Sequence, residues 1–237
     1  MGLPINTTAI YTLTVPSTQK KWKYRPFLVK EEKSLLVAQQ SEDSQIMLDT
    51  IKSVIKSCSK TELDVEALAS FDIEFMFTRL RAVSVGEMVE LMFRCDDCSD
   101  EKAVTSVQVD LRKMQVKFPE GHTNKIELFD DVGIMMKYPT LETLKKIEQS
   151  EGSEIDQTFE VITDCIDYIY DTEQIYIAKE QTREELYEFI NNLTSSQFEK
   201  IQTFFRTMPS MRQDITYTCP VCKKVHNKYL EGLSSFF

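Results

Sequence analysis

Cys95-Asp96-Asp97-Cys98 and Cys219-Pro220-Val221-Cys222 are the two stretches on which the reading of this chain turns. In a C-x-x-C turn two thiols can reach one ion while the intervening backbone amides point back at the sulfurs. Two such turns therefore supply four ligands in a tetrahedron, and zinc is the natural occupant. Cys95, Cys98, Cys219 and Cys222 thus predict one structural Zn2+ per chain. A thioredoxin-type redox pair needs its cysteines at a helix N-terminus after a strand, and neither pair sits there. A catalytic zinc keeps an open position, whereas four cysteines fill the shell, so enzymatic activity has no positive support.

Working outward, both turns are framed by strand-like sequence. Met88 to Phe93 and Val104 to Val109 flank the first, and Asp214 to Thr218 and Val225 to Leu230 flank the second, with side chains alternating as a half-buried strand requires. In a common ribbon the two pairs are roughly 15 to 20 residues apart. Here more than a hundred residues separate Cys98 from Cys219. The pattern predicts a zinc-ribbon-like pair of β-hairpins, distant in sequence and adjacent in space, with a long helical insertion between them. Gln115 to His122 is expected to be a short strand ending in a turn, and Lys125 to Phe129 another strand. Within the insertion, Leu141 to Ile147, Thr158 to Tyr170, Arg183 to Ile190 and Ser195 to Met208 carry apolar residues at helical steps. Thr182 precedes Arg183-Glu184-Glu185 as a capping box, and Thr194 or Ser195 caps the next helix. Ser150 to Ser153 and Asp171 to Glu173 are the expected joints.

Before the first cysteine pair, Ile10 to Val15 alternates, turns at Pro16-Ser17-Thr18 and resumes at Trp22, Tyr24 and Phe27, which reads as a hairpin whose second arm stops near Pro26. Helical spacing begins at Glu31, restarts after Ser41, the expected N-cap, and returns from Asp64 or Ser70 to Arg81. The fold class is α+β. Residues 1–85 form a β-hairpin and helical unit, 86–129 and 210–237 a discontinuous zinc-ribbon-like unit, and 130–209 the helical insertion.

A chain of 237 residues with 42% hydrophobic content can bury a sizeable core. No run approaches the roughly 18 to 20 apolar residues of a membrane helix, and Met1-Gly2-Leu3-Pro4 lacks the order of a signal peptide, so a cytosolic protein with no membrane partner is expected. A formal net charge of −10 argues against nucleic acid, because duplex affinity comes from Lys and Arg neutralising phosphates. Cys58 and Cys165 stand alone in helix-like sequence and read as small core residues. Asp96, Asp97 and Asp100 beside the first pair, and Lys223, Lys224 and His226 beside the second, read as solvated turn residues facing each other across the turns. His226 is a spare ligand or, beside a complete cysteine set, a turn or strand residue, and His122 a loop donor. No glycine-rich phosphate loop or Ser/His/Asp order is present, and no small-molecule substrate is implied. Trp22, Lys23, Tyr24, Arg25 and Phe27, with the terminal Phe236-Phe237, are candidate partner contacts.

Several longer runs carry a family likeness. The run from Lys23 to Lys33 (KYRPFLVKEEK), Phe71-Asp72-Ile73-Glu74, and Leu80 to Glu87 (LRAVSVGE) are the first. Val116 to His122 (VKFPEGH), Gly133 to Pro139 (GIMMKYP) and Leu230 to Phe237 (LEGLSSFF) extend the likeness over most of the chain. In combination they resemble the baseplate hub subunits and hub assembly proteins of T-even-like contractile-tailed phages. The resemblance implies a non-enzymatic tail protein that works through contacts with other phage baseplate hub proteins, in the host cytoplasm during tail assembly or retained in the virion baseplate. Both cysteine pairs fall where relatives often carry C-x-x-C. A zinc-ribbon adaptor for nucleic acid or a polymerase is the alternative, which the acidic balance disfavours.

Overall fold

The computed structural model describes residues 7–149 and 153–232. The chain divides into two compact units, Met1–Lys117 with Ser210–Phe237, and Phe118–Pro209. The boundaries expected at 85/86 and 129/130 do not coincide with this division. The N-terminal region and the two cysteine-bearing hairpins belong to one unit.

In that first unit β1 (Tyr11–Thr14) and β2 (Lys21–Tyr24) pair antiparallel with Leu13 opposite Trp22. Trp22 and Tyr24 point inward and stack with ring centroids 4.2 Å apart. The buried indole donates Nε1–H to Ser59 Oγ at 2.9 Å, so its one polar atom keeps a partner. The hairpin turn is held by buried Asp72, whose carboxylate accepts the Ser17 backbone N–H at 3.0 Å and the Ser17 hydroxyl. Helices α1 (Val29–Gln40), α2 (Ser44–Cys58) and α3 (Ser70–Ser84) follow. Ser41 is not the cap of α2. It closes α1, its hydroxyl donating to Ala38 O at 2.6 Å, while Asp43 caps α2 by accepting from Gln45 N–H at 2.8 Å and Ile46 N–H. A carboxylate two residues nearer the first apolar position meets the free N–H groups directly. Helix α3 buries Phe71, Ile73, Met76, Phe77 and Leu80 around most of its circumference, the mark of a central element.

Strands β3 (Met88–Arg94) and β4 (Val104–Asp110) form one hairpin, Met88 opposite Asp110 and Arg94 opposite Val104. β10 (Ser210–Thr218) and β11 (Val225–Glu231) form the other, and β5 (Gln115–Lys117) joins β10 on its far edge, giving the order β11-β10-β5. The two hairpins share one core. Val109, Leu111, Met114, Met211, Ile215, Tyr217 and Leu230 are buried together with Ala82 of α3. That shared core is why α3 does not belong to a separate N-terminal unit.

The second unit is not a helical bundle. β6 (Lys125–Phe129), β7 (Val132–Met136), β8 (Ile166–Tyr170) and β9 (Ile175–Ile177) make an antiparallel four-stranded sheet in that order. α4 (Leu141–Gln149) and α5 (Glu154–Asp164) lie between β7 and β8, and α6 (Arg183–Asn191) and α7 (Ser195–Arg206) follow β9. One sheet face buries Ile126, Leu128, Ile134, Met136, Ile166 and Ile169 with Ile162, Leu186, Ile190, Ile201 and Phe204 of the helices. The helix expected over Thr158 to Tyr170 ends at Asp164. A β-bulge in the pairing of β7 with β8 accounts for the difference. Register shifts so that Met136 opposes Ile166 and Ile134 opposes Ile169. Two inward side chains thus fall three residues apart in a strand, imitating a helical step. Thr182 and Thr194 cap α6 and α7 with capping boxes, as expected. Cys58 and Cys165 are fully buried. Among the described residues no helix is long and apolar enough to cross a membrane.

Candidate metal centre

Each cysteine pair sits where a hairpin turns. Arg94 ends β3, and Cys95 begins the turn by donating its N–H to Ala103 O at 2.9 Å, with Ala103 N–H returning to Asp100 O at 3.0 Å. The second turn is built alike: Cys219 N–H donates to Lys224 O at 2.9 Å and Lys223 N–H to Cys219 O at 3.1 Å. Lys223 takes a left-handed conformation, φ +63°.

The four sulfurs converge. Cys95 Sγ lies 3.8 Å from Cys222 Sγ, Cys98 Sγ lies 3.9 Å from Cys219 Sγ, and all four are within 4.8 Å of one another. Ligands about 2.3 Å from a central zinc at tetrahedral angles lie about 3.8 Å apart, the spacing these pairs show. A disulfide would bring two sulfurs to about 2.05 Å. The donor set therefore fits a tetrahedral four-thiolate ion and no disulfide. Cys95 and Cys219 are buried beside Ala103, Cys98 is half-buried and Cys222 is exposed.

Three of the thiols depart from the ordinary cysteine value. Burial opposes ionising Cys219, yet the Cys222 and Val221 backbone N–H groups that donate to its sulfur bring it down to about 7. Cys98 is pushed up to about 12, first by its contact with Cys222 and then by burial, and Cys95 is raised chiefly by burial. Four thiols this close cannot all ionise at neutral pH unless a cation sits among them.

Of the charged flanks, Asp97 and Lys224 face each other as expected, and Asp96 turns instead to Lys228. Lys224 pairs with Asp97 at 2.7 Å and Lys228 with Asp96 at 2.8 Å, so each ion pair joins one cysteine turn to the hairpin of the other. Thr105 Oγ1 donates to Thr218 O at 3.2 Å and Tyr217 Oη to Arg94 O at 3.3 Å, again from hairpin to hairpin.

The family model described as T4 bacteriophage base plate protein matches residues 8–237. The chain belongs to that family. It is therefore a phage baseplate protein, and its working surroundings are other phage proteins. No curated protein and no solved structure matches the chain.

The remaining candidate residues divide in this baseplate protein. Trp22, Tyr24, Arg25 and Phe27 are not a free surface but are buried within the first unit. Their aromatic and basic density is spent on closing the N-terminal hairpin over α1 and α2. Arg25 Nη2 donates to Glu31 Oε1 at 2.8 Å and to Ser57 O at 3.3 Å. Lys23 alone of the five faces solvent. Phe236 and Phe237 lie outside the described residues. His122 donates and accepts within its own unit, Nδ1 against Thr207 Oγ1 at 2.9 Å and Nε2 against Tyr138 Oη at 3.1 Å. His226 is placed in β11, and its Nε2 stands 3.1 Å from Cys95 Sγ. Sequence reading left its role open. The signal was the two-residue alternation of His226, Lys228 and Leu230, which turns all three toward the same side of β11.

Proposed function

We propose that this baseplate protein acts in the assembly or structure of the central hub, through protein contacts and without catalysing a reaction, and that Cys95, Cys98, Cys219 and Cys222 hold one structural zinc. The observation that carries the proposal is the convergence of four sulfurs, at tetrahedral spacing, from two hairpins distant in sequence, in a chain of the base plate family. When bound, zinc supplies a double positive charge that lets four thiolates share one small volume. The chain's own residues do the rest. The amides of Val221 and Cys222 orient on Cys219, the Asp97–Lys224 and Asp96–Lys228 pairs align the turns, and the shared core of Val109, Met211 and Leu230 fixes the hairpins behind them. A filled four-cysteine shell leaves no position for a substrate, which favours a clamp over a catalyst.

The test is elemental analysis of the purified native protein, combined with mass spectrometry of what accompanies it from infected cells and of purified virions. About one zinc per chain together with hub proteins is expected. Absence of metal removes the zinc half of the proposal, and absence of hub proteins from the co-purifying set removes the other. Detection in virions assigns a structural place in the tail, and detection only in the lysate assigns a factor that leaves during assembly.

A further inference from the structure

His226 makes a contact that the four-cysteine site does not require. Its Nε2 is 3.1 Å from Cys95 Sγ and 3.9 Å from Asp97 Oδ2. It groups with Cys95 and Asp97 but not with Cys98, Cys219 and Cys222. Two donors sharing one tetrahedral zinc, a sulfur at about 2.3 Å and a nitrogen at about 2.1 Å, would lie about 3.6 Å apart. The observed separation is shorter and matches a hydrogen bond to sulfur. His226 therefore stands outside the coordination shell.

Its ring is held from the other side. Phe93 of β3 stacks on Tyr217 of β10 with centroids 5.1 Å apart, and Tyr217 stacks on His226 of β11, also at 5.1 Å. Phe93 lies two residues before Cys95, and Tyr217 two residues before Cys219, so the two hairpins contribute equivalent positions to the stack. The row of rings leaves β3, crosses both strands of the other hairpin, and returns through the imidazole to Cys95. The circuit is closed at the sulfur.

We propose that His226 donates Nε2–H to the Cys95 thiolate and so restrains metal release, acting as a positioning residue and not a ligand. The inference rests on the zinc reading above and deepens it. A partner that holds a ligand from outside the shell is worth about 10- to 100-fold in metal affinity. The donor also draws charge from one of four crowded thiolates.

The test uses the full chain loaded with Co2+ or Zn2+, in native form and as His226→Phe and His226→Gln. Phe keeps a ring against Tyr217 and deletes the donor; Gln restores an N–H donor on a flexible side chain. The expected result is an unchanged four-sulfur cobalt absorption spectrum in all three. Transfer of Zn2+ to a chromophoric chelator should become about 10- to 100-fold easier for His226→Phe, with His226→Gln between that variant and the native chain. A cobalt spectrum that shifts in His226→Phe would make His226 a ligand and overturn the inference. Unchanged zinc transfer in both variants would overturn it as well. Failure of the native chain to take up either metal is a different result, which overturns the zinc reading itself and this inference with it.

Discussion

Arg25 at the end of β2 donates to Glu31 in the first turn of α1 at 2.8 Å, with both residues buried. The same carboxylate accepts the Leu28 backbone N–H and the Ser57 hydroxyl, each at 2.8 Å, so one side chain ties a strand end to two helices. Burial works against the charge on Glu31, but these donors outweigh it and hold its pKa at about 2, against an ordinary 4.5. Because the folded value is depressed, the unfolded chain takes up the proton first as pH falls. The contribution is therefore complete above about pH 4.5 and is lost between there and about pH 2. The urea midpoint should fall through that window. Arg25→Met alone should cost about 1.5 to 3 kcal/mol at pH 7, by removing the guanidinium and leaving the buried carboxylate only the more distant Lys30 ammonium, at 3.4 Å, as an ionic partner. Arg25→Met combined with Glu31→Leu should recover much of that loss and flatten the acid dependence.

Gly133 of β7 lies opposite Tyr170 of β8, and the phenol covers it. A Cβ at Gly133 would overlap Tyr170 Oη and Cζ and come within 2.8 Å of Ile126 O. Gly133→Ala should therefore destabilise the protein by about 1 to 3 kcal/mol, read as a lower thermal midpoint. Tyr170 Oη is buried with no hydrogen-bond partner among the described residues. Tyr170→Phe should be neutral or raise stability by up to ~1 kcal/mol, because it removes a desolvated hydroxyl and keeps the ring over the glycine.

Loss of metal should loosen both hairpins together, since binding energy in a closed site is largely folding energy. Cys98→Ser or Cys219→Ser should lower apparent stability by ~5 kcal/mol or more and abolish its sensitivity to a chelator. Cys58→Ser, at a buried cysteine outside the cluster, should leave the chelator response intact. Hydrogen exchange in β3, β4, β10 and β11 checks the location of the effect.

Lys223 holds a left-handed backbone at φ +63° in the second cysteine turn, a region that costs a residue with a Cβ about 1 to 2 kcal/mol. Its ammonium donates to Pro220 O at 2.8 Å, an exposed contact that offsets little of this. Lys223→Gly should raise the thermal midpoint of the metal-loaded protein, by up to ~1 kcal/mol of stability.

The cysteine hairpins were legible because their signals are local and redundant. Alternation in Met88 to Phe93 and Val225 to Leu230 sets the strands, and C-x-x-C marks the turns. What brings Cys98 beside Cys219 is a shared core, not sequence proximity, so only the chemistry of four thiols could announce it. The sheet of the second unit was hidden for a different reason. Ile162, Cys165, Ile166 and Ile169 follow one another at helical steps, and no local rule tells a bulged strand from a helical turn there. At Trp22 to Phe27 the aromatic and basic composition suggested a surface, yet Trp22 and Tyr24 face inward at alternate positions. Composition is blind to that alternation, and the period-two pattern was the better guide.

The distance along the chain between Cys98 and Cys219, 121 positions, has a consequence for synthesis. At about 5 to 20 residues per second, a ribosome delivers the second pair roughly 6 to 24 seconds after the first. During that interval Cys95 and Cys98 stand without the two sulfurs that complete the cluster. On the zinc proposal, therefore, only a polypeptide translated through Cys222 can bring all four sulfurs together and capture the metal.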